Sequence, residues 1–445
     1  MFYVRRSELL FGVLLMLNFV LAIFVMGTMS VSGGGAGDIL YKIFLISMTV
    51  LLGRFCLEGR YKSPLSIPSL VSISVFFFMW ARPFLTLFFN KEVVEAGIVL
   101  GENSIRQTVV NLALGFIFIA TGYLLSGRFS SVIVARFATL STFSLSRLAN
   151  GVIIFLGLSS GVFFLVKSFI VAQKYIGGNY FEALENPEFH AHIFTFFIAK
   201  NLLLLWGILG KHSNRLMIIS IIWMVFSIGF LFIGLRGYFF VYLFLFIFVY
   251  GLEKRISYGF LILLGVGSLF FANILLEYRL GFQVSTGVLE KISQTLHGQG
   301  ASFEVLYGAV NFSNELERCL NSTTREFGVC VDQVRYINFA SGGFSTSFFA
   351  EAYYRGWVFY MFWCLLFGCF VRILDGIVFI YKEGQLAYKN QGFAIFLILS
   401  VLPTLVYFSR SDMYGVSMKF LQVGMVVFVL SVLTEHIKRY RGVPR

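Results

Sequence analysis

The sequence predicts an all-α protein that crosses a membrane about twelve times. Hydrophobic residues make up 58% of the chain, charged residues only 13%, and 55 of the 445 residues are phenylalanine. A soluble core could not bury so many apolar side chains, so most of the surface must face lipid. Apolar runs of about 18 or more residues recur, which is the length a helix needs to cross about 30 Å of hydrocarbon. Barrel strands would be shorter and would alternate apolar with polar residues, so the runs indicate helices.

These runs predict the individual spans. They lie near residues 8–28, 39–53, 66–89, 105–125, 150–172, 191–210, 216–234, 237–252, 258–276, 357–381, 391–408 and 416–434. Only Leu235, Arg236 and Gly237 separate the seventh span from the eighth, which predicts a tight hairpin or a broken helix with an arginine at the turn. No small-residue cleavage site follows the first span, so we expect a retained anchor. We expect residues 1–445 to form a single integral membrane domain.

Basic residues in alternate loops predict the orientation of the spans. The residues on this side are Arg5, Arg6, Arg54, Arg60, Lys62, Arg128, Arg136, Arg147, Lys211, Arg215, Lys254, Arg255, Lys382, Lys389, Lys438, Arg439 and Arg441. The opposite loops are acidic or neutral, so the basic side and both termini are predicted to be cytoplasmic. The net charge of +13 mostly reflects this bias and does not indicate a nucleic-acid partner.

One polar segment interrupts the spans. Residues 277–355, between the ninth and tenth spans, are predicted to form a large external loop subdomain. This loop contains HGQG at His297–Gly300, a Cys319/Cys330 pair and FFAEAYYRG at Phe348–Gly356. An oxidising compartment would let the two cysteines form a disulfide. No cysteine or histidine spacing resembles a zinc site and no glycine-rich phosphate loop is present, so neither a metal nor a nucleotide cofactor is expected.

Four arginines are predicted near the outer boundary of the membrane. Arg236 lies at the hairpin turn, Arg279 follows the ninth span, Arg355 begins the tenth, and Arg410 lies between the last two. Any single one of them could simply bind a lipid head group or extend toward water. Several converging guanidinium groups could instead neutralise a diphosphate without a metal ion. The set therefore suggests a lipid-diphosphate substrate.

Lys42 and Lys200 fall inside predicted spans, where an ionisable residue is a functional hypothesis. Lys42 is near enough to the outer boundary for its ammonium group to reach water. Lys200 is deeper, and we expect it to pair with a neighbouring helix or to line a cavity.

The chain resembles the Wzy-type O-antigen polymerases, which join oligosaccharide repeat units. The features in common are about twelve spans, one large external loop late in the chain, Arg-Gly at the preceding hairpin, the HGQG element, and the F-A-E-x-Y segment before the next span. The family motif would have a basic group before Gln-Gly, and here that residue is His297.

This resemblance implies a glycosyltransferase at the periplasmic face of a bacterial inner membrane. Both donor and acceptor would be oligosaccharides linked to undecaprenyl diphosphate, and the growing chain would pass to the nonreducing end of a new repeat unit. The donor is already activated, so no metal or nucleotide is expected. Membrane lipid and a chain-length regulator are the further partners that the resemblance allows.

The reaction needs a base for the acceptor hydroxyl and stabilisation of the leaving diphosphate. His297 and Glu351 are the candidate bases, because imidazole exchanges protons near neutral pH and Glu351 lies among aromatic residues. The alternative roles are a surface turn for His297 and a first-turn helix acid for Glu351. Gln299, Tyr353 and Tyr354 are candidates for binding the sugars, although aromatic residues also anchor helices at membrane surfaces.

Three other functions compete with polymerisation. A transporter or lipid-linked oligosaccharide flippase would be expected to show related halves or charges along a path at mid-membrane, which the sequence lacks. An O-antigen ligase would use the same donor with another acceptor, and only weak motifs separate it from a polymerase. A scaffold for polysaccharide assembly would leave the arginines unexplained.

Overall fold

The computed structural model contains helices and turns, with no strand in the part of the chain that it describes. That part comprises residues 6–29, 35–60, 65–89, 102–139, 146–175, 187–210, 214–232, 236–254, 287–299, 302–322, 347–384 and 391–411, with short stretches and single positions within 256–274, 327–330, 386 and 413–432. Arg279 and Gly300 fall outside it, and so do the side chains of Arg236 and Gln299.

The described helices include most of the predicted spans and further helices between them. They are α1 Arg6–Met29, α2 Gly35–Cys56, α3 Ile67–Val75, α4 Ala81–Phe89, α5 Glu102–Leu125, α6 Gly127–Thr139, α7 Arg147–Tyr175, α8 Pro187–Leu209, α9 Arg215–Phe232, α10 Arg236–Glu253, α11 Gly259–Ser268, α12 Val288–Gln299, α13 Ser302–Asn311, α14 Ser313–Ser322, α15 Phe348–Tyr354, α16 Trp357–Lys382, α17 Gln391–Tyr407 and α18 Val416–Val426. A π-helical turn, Phe76–Trp80, joins α3 to α4, and a 3-10 turn, Phe408–Arg410, follows α17.

Eight helical segments in the described residues are long and apolar enough to cross a membrane. They are Glu8–Thr28, Gly37–Cys56, Ile67–Leu87, Glu102–Leu125, Arg147–Gln173, Arg215–Phe232, Trp357–Lys382 and Gln391–Arg410. Four shorter apolar helices accompany them. The prediction of a polytopic helical membrane protein is confirmed, whereas the count of twelve spans and the external position of residues 277–355 stay predictions.

The chain divides into two compact units, each built from separated segments. Unit 1 comprises 1–133, 288–376 and 407–418, and unit 2 comprises 134–287, 377–406 and 419–445. The described helices of the polar loop, α12 to α15, belong to unit 1.

A close helix crossing forms the centre of unit 1. A side chain at Gly122 of α5 would overlap the backbone of Leu365 in α16, and one at Gly368 would overlap the backbone of Ile119. Only glycine allows the two backbones to approach so closely. This crossing aligns α5 with α16 and places Asn111 beside the start of α16, where the Tyr360 hydroxyl donates to the Asn111 carbonyl oxygen at 2.7 Å.

Polar groups join α5 to α16 near their C-terminal ends. The carboxylate of Asp375, which is fully buried, accepts from the Tyr123 hydroxyl at 2.8 Å and from the Arg60 backbone N–H at 2.9 Å. The Arg372 guanidinium lies 4.6 Å from the centre of the Tyr123 ring. These contacts hold the segment after α2 against the α5–α16 pair.

Aromatic packing forms the core of unit 2. Phe164 of α7 lies 5.2 Å from Phe196 of α8 and 4.9 Å from Phe230 of α9, measured between ring centres. Phe196 also lies 5.2 Å from Tyr242 of α10. All four side chains are buried, so these rings fix the packing of four helices that are apolar on every face.

Candidate functional site

The π-helical turn Phe76–Trp80 lies at the centre of the candidate site in unit 1. The N–H of Ala81 donates to the Phe76 carbonyl oxygen five residues earlier, which inserts one extra residue into the helix. Such insertions occur frequently at functional sites. Phe78 and Met79 of this turn and Arg82 of the following one each contact a different part of the predicted site.

Arg82 holds two helices of the polar loop. Its Nε donates to the His297 carbonyl oxygen at 3.0 Å, and its guanidinium forms an ion pair with Glu304 of α13. Arg82 and Glu304 are only 2% and 1% exposed. A buried ion pair contributes little net stability, but losing one partner leaves a charge without compensation. Arg82 therefore links α12 and α13 to α4.

His297 lies in the last turn of α12, and its side chain is partly exposed. A surface turn was the alternative role for His297, but the helix continues through Gln299. The last four carbonyl groups of a helix have no intrahelical partner, and Arg82 supplies one for His297. This contact fixes the backbone of His297 at the end of α12.

Glu351 lies in α15, which begins after Ser347. The Ser347 hydroxyl caps this helix by accepting from the Ala350 N–H at 3.4 Å. Glu351 is 5% exposed, and its two carboxylate oxygens contact Arg355 at 3.1 Å and the Met413 backbone N–H at 2.6 Å. Glu351 thereby connects α15 to the segment that carries Arg410.

Arg410 ends the 3-10 turn after α17 and is partly exposed. Its guanidinium lies 5.8 Å from the Phe78 ring centre and 5.7 Å from that of Tyr407. The neighbouring Ser409 hydroxyl donates to the Ser74 carbonyl oxygen at 2.8 Å, which holds the turn against α3. These contacts orient the guanidinium while part of it stays accessible.

The segment from Phe76 to Arg82 brings the predicted residues together. Phe78 contacts Arg410, Met79 accepts from the Ser347 hydroxyl at 3.7 Å, and Arg82 holds the His297 carbonyl group. Three elements that are distant in sequence therefore meet on one stretch of helix. Arg355, whose side chain is 50% exposed, joins the group through Glu351.

The two candidate sugar-binding tyrosines make packing contacts. The Tyr353 ring lies 5.7 Å from Tyr360 and 6.3 Å from Trp357. Burial raises the pKa of Tyr353, so it remains a neutral phenol. Tyr354 lies 5.5 Å from Phe327, and both rings are partly exposed.

The cysteine pair of the polar loop is joined in the structure. A disulfide connects Cys319 of α14 to Cys330, with 5.6 Å between their Cα atoms. The closed segment contains Phe327, so the disulfide restrains the residue that packs against Tyr354.

The sequence reasoning missed Arg82 and Glu304. The available signal was an arginine inside the apolar run 66–89, because ionisable residues inside spans generally have a partner or a function. Of the two span lysines that the sequence did indicate, Lys42 is exposed and paired with Asp38 at 3.1 Å. In the described part of the chain, no group of three or more metal-binding side chains is present.

Comparisons with known proteins identify the family of this chain. Residues 12–326 match the family described as "O-antigen polysaccharide polymerase Wzy". An O-antigen polymerase from Escherichia coli is 29% identical over 437 residues, covering 92% of this chain and 93% of that protein. No solved structure matches. Since the matched region covers more than half of the chain, this protein belongs to the O-antigen polysaccharide polymerase Wzy family.

Proposed function

We propose that the protein polymerises repeat units carried on undecaprenyl diphosphate, at the periplasmic face of the bacterial inner membrane. In this proposal His297 is the general base. The diphosphate is bound by Arg236, Arg279, Arg355 and Arg410. The observation that carries the proposal is that Arg410, the helix cap Ser347 and the His297 carbonyl group all contact the Phe76–Arg82 segment, within a chain of the polymerase family.

Proton-exchange chemistry favours His297 of the two candidate bases, because imidazole exchanges protons near neutral pH. Glu351 uses one oxygen for Arg355 and the other for the Met413 N–H, so it is already engaged as an acceptor. His297 is held through its carbonyl group and keeps its side chain partly exposed. We therefore assign proton transfer to His297 and assign Glu351 the positioning of Arg410.

The reaction follows from these roles. The acceptor sugar hydroxyl attacks the anomeric carbon of the donor chain while the His297 imidazole takes the hydroxyl proton. The new glycosidic bond forms as the bond between the anomeric carbon and the diphosphate oxygen breaks. The bonding electron pair leaves with the diphosphate, and the arginines stabilise the charge that develops there. No electron donor or second activated substrate is needed.

The external orientation rests on the distribution of basic residues. The loops that contain Arg54, Arg60 and Lys254 fall on the side predicted to be cytoplasmic. Residues 277–355 fall on the other side, where a disulfide between Cys319 and Cys330 would persist. Both features support a reaction in the periplasm.

The glycan phenotype of a strain that lacks the protein tests the proposed function. Surface display of lipid A core with a single repeat unit is expected, because only chain extension would be lost. Accumulation of repeat units inside the cell would instead indicate a flippase. Full-length polymer left on the carrier lipid would indicate a ligase. Either of those two results would contradict the proposal.

Conservative replacement of the arginines tests diphosphate binding. Lysine keeps the charge of arginine but lacks the planar pair of donors that matches phosphate oxygens. Arg236→Lys and Arg279→Lys are therefore expected to reduce polymer severely, with graded losses for Arg355→Lys and Arg410→Lys. Lipopolysaccharide gels would measure the amount of polymer, and immunoblots of the membrane fraction would measure the amount of protein. Arg147→Lys, at an exposed helix start on the opposite predicted side, is the matched control. Normal polymer from both Arg236→Lys and Arg279→Lys would refute phosphate recognition at these positions.

A further inference from the structure

Unit 2 contains an apolar groove between α10 and α11 that the proposed reaction does not use. Its volume is about 390 Å³, which falls in the range of about 300–1,000 Å³ typical of ligand pockets. The aromatic and leucine residues that line it are Phe239, Phe240 and Leu243 of α10 and Phe260, Leu263 and Leu264 of α11. Gly267 and Ser268 complete the lining, so none of the described residues around the groove carries a charge. A ligand of this groove must therefore be apolar where it is bound.

One face of α11 forms its wall of the groove. The lining residues occupy positions 260, 263, 264 and 267, which is the spacing of a single helical face. Phe260 and Leu263 are exposed, and a Cβ atom placed at Gly267 would have no neighbouring atom within 4 Å. The groove is therefore open to a chain that enters from the surrounding lipid.

The face of α10 that lines the groove begins with Arg236, the first residue of that helix. The three lining residues of α10 follow Arg236 by three, four and seven positions, so all four residues lie on one side of the helix. At a rise of 1.5 Å per residue, the lining positions lie about 5–11 Å along α10 from Arg236. Arg236 is one of the residues proposed to bind the diphosphate. A chain attached to that diphosphate would reach the groove within two turns of the helix.

We propose that this groove binds the first isoprene units of the polyprenyl chain of the carrier lipid. The assignment rests on the proposed function, which supplies a carrier whose diphosphate is bound at Arg236. Lipid tails are as apolar as the groove, so packing rather than the hydrophobic effect must select the chain. An isoprenoid chain carries a methyl branch on every repeating unit, and these branches can fill the spaces between the phenylalanine rings of the groove. A straight acyl chain would leave such spaces empty and lose the dispersion contacts there.

Filling the groove with a side chain tests this assignment. Gly267→Phe places a ring in the space where the isoprenoid chain would lie, and phenylalanine favours a helix more than glycine does. Native mass spectrometry of the purified full-length protein in detergent would measure the Kd for undecaprenyl diphosphate. A misfit of one methylene in an apolar pocket already changes recognition by about tenfold or more, so the Kd should rise by at least about tenfold. A wild-type Kd in Gly267→Phe would overturn the proposal.

Gly265→Phe is the matched control. Gly265 lies on the same helix, also has no atom within 4 Å of an added Cβ, and does not line the groove. The same residue is therefore introduced two positions away, and the Kd for undecaprenyl diphosphate should keep its wild-type value. Equal weakening by both variants would show that filling the groove is not the cause, and would contradict the proposal.

Paired ligands separate the chain from the head group and from other lipids. Inorganic diphosphate has no chain, so Gly267→Phe should leave its Kd unchanged, and an equal rise would refute the groove by placing the effect at the head-group site. Geranylgeranyl diphosphate and hexadecyl diphosphate have the same number of carbons along the chain, but only the first is branched. The wild type should bind the branched chain more tightly, and Gly267→Phe should lose this preference. Equal affinity of the wild type for both would refute selection of an isoprenoid chain.

Photocrosslinking tests the site without any substitution. A carrier analogue with a diazirine on its first isoprene units should label residues 239–243 and 259–268 of the wild-type protein, and labels confined to other segments would overturn the proposal. Neither binding nor labelling requires chain extension. A protein that is labelled in the groove but extends no chains would therefore refute only polymerisation. Chain extension by Gly267→Phe at the wild-type rate, with the carrier limiting, would refute only the groove.

Discussion

His297→Gln is expected to leave a folded protein in the membrane that extends chains about 100-fold to 10,000-fold more slowly, the usual cost of losing a general base. Stability should hold because Arg82 binds the backbone carbonyl of His297, which the substitution keeps. Glutamine preserves size and hydrogen bonding but cannot accept the proton. The rate at which the purified variant extends chains on lipid-linked repeat units measures the loss of catalysis. Its melting temperature measures its stability.

Glu351→Gln is the matched comparison. The amide keeps an oxygen that can accept from the Met413 N–H, and it loses the charge that pairs with Arg355. A smaller loss than for His297→Gln is therefore expected. A larger loss of activity from Glu351→Gln would instead assign proton transfer to Glu351 and the positioning role to His297. Near-normal extension by both variants would refute acid-base catalysis and leave the arginines as the main source of rate.

Arg82→Met is expected to destabilise the protein by about 3–5 kcal/mol, because the buried carboxylate of Glu304 would lose its partner. Glu304→Met should have a similar effect. The double variant should recover much of the stability, since replacing both members of a buried pair by apolar residues is often neutral. Its chain extension should nevertheless stay low, because the contact that holds His297 is gone.

Thermal unfolding of the two single variants and the double variant in detergent measures the coupling between these residues. Arg106→Met is the control, since the partners of Arg106, Asp38 and Glu102, are exposed, and such pairs contribute about 0–1 kcal/mol. Wild-type stability in Arg82→Met would show that the ion pair does not hold α12 and α13. Full activity in the double variant would show that Arg82 does not position His297.

The membrane-spanning helices could be predicted because the length of an apolar run is enough to identify a span. The sequence analysis identified α5 and α16 from their apolar runs. The helices within the polar loop were not predicted. These helices are short. A carbonyl group in the last turn of α12 is bound by Arg82, which lies about 215 residues away in sequence. A local sequence pattern cannot reveal a partner that lies so far away in the chain.

The candidate site was predicted in part for the same reason. His297 was recognised as part of the HGQG element in the polar loop, and Glu351 and Arg410 as polar groups at predicted span ends. Arg82 was overlooked because it lies within an apolar run, and Glu304 because it looks like a single loop acid. The π-helical turn that precedes Arg82 has no sequence signature in FFFMW. Only the folded chain shows that Arg410, Ser347 and the backbone of His297 all contact this one helix segment.

The most direct test of the account is chain extension by the purified protein with lipid-linked repeat units as the only substrates, in chelator and without nucleotide. We expect a ladder of longer glycans, with one undecaprenyl diphosphate released for each linkage formed. Failure to extend chains until a metal or a nucleotide sugar is added would contradict the account, as would extension without release of the carrier.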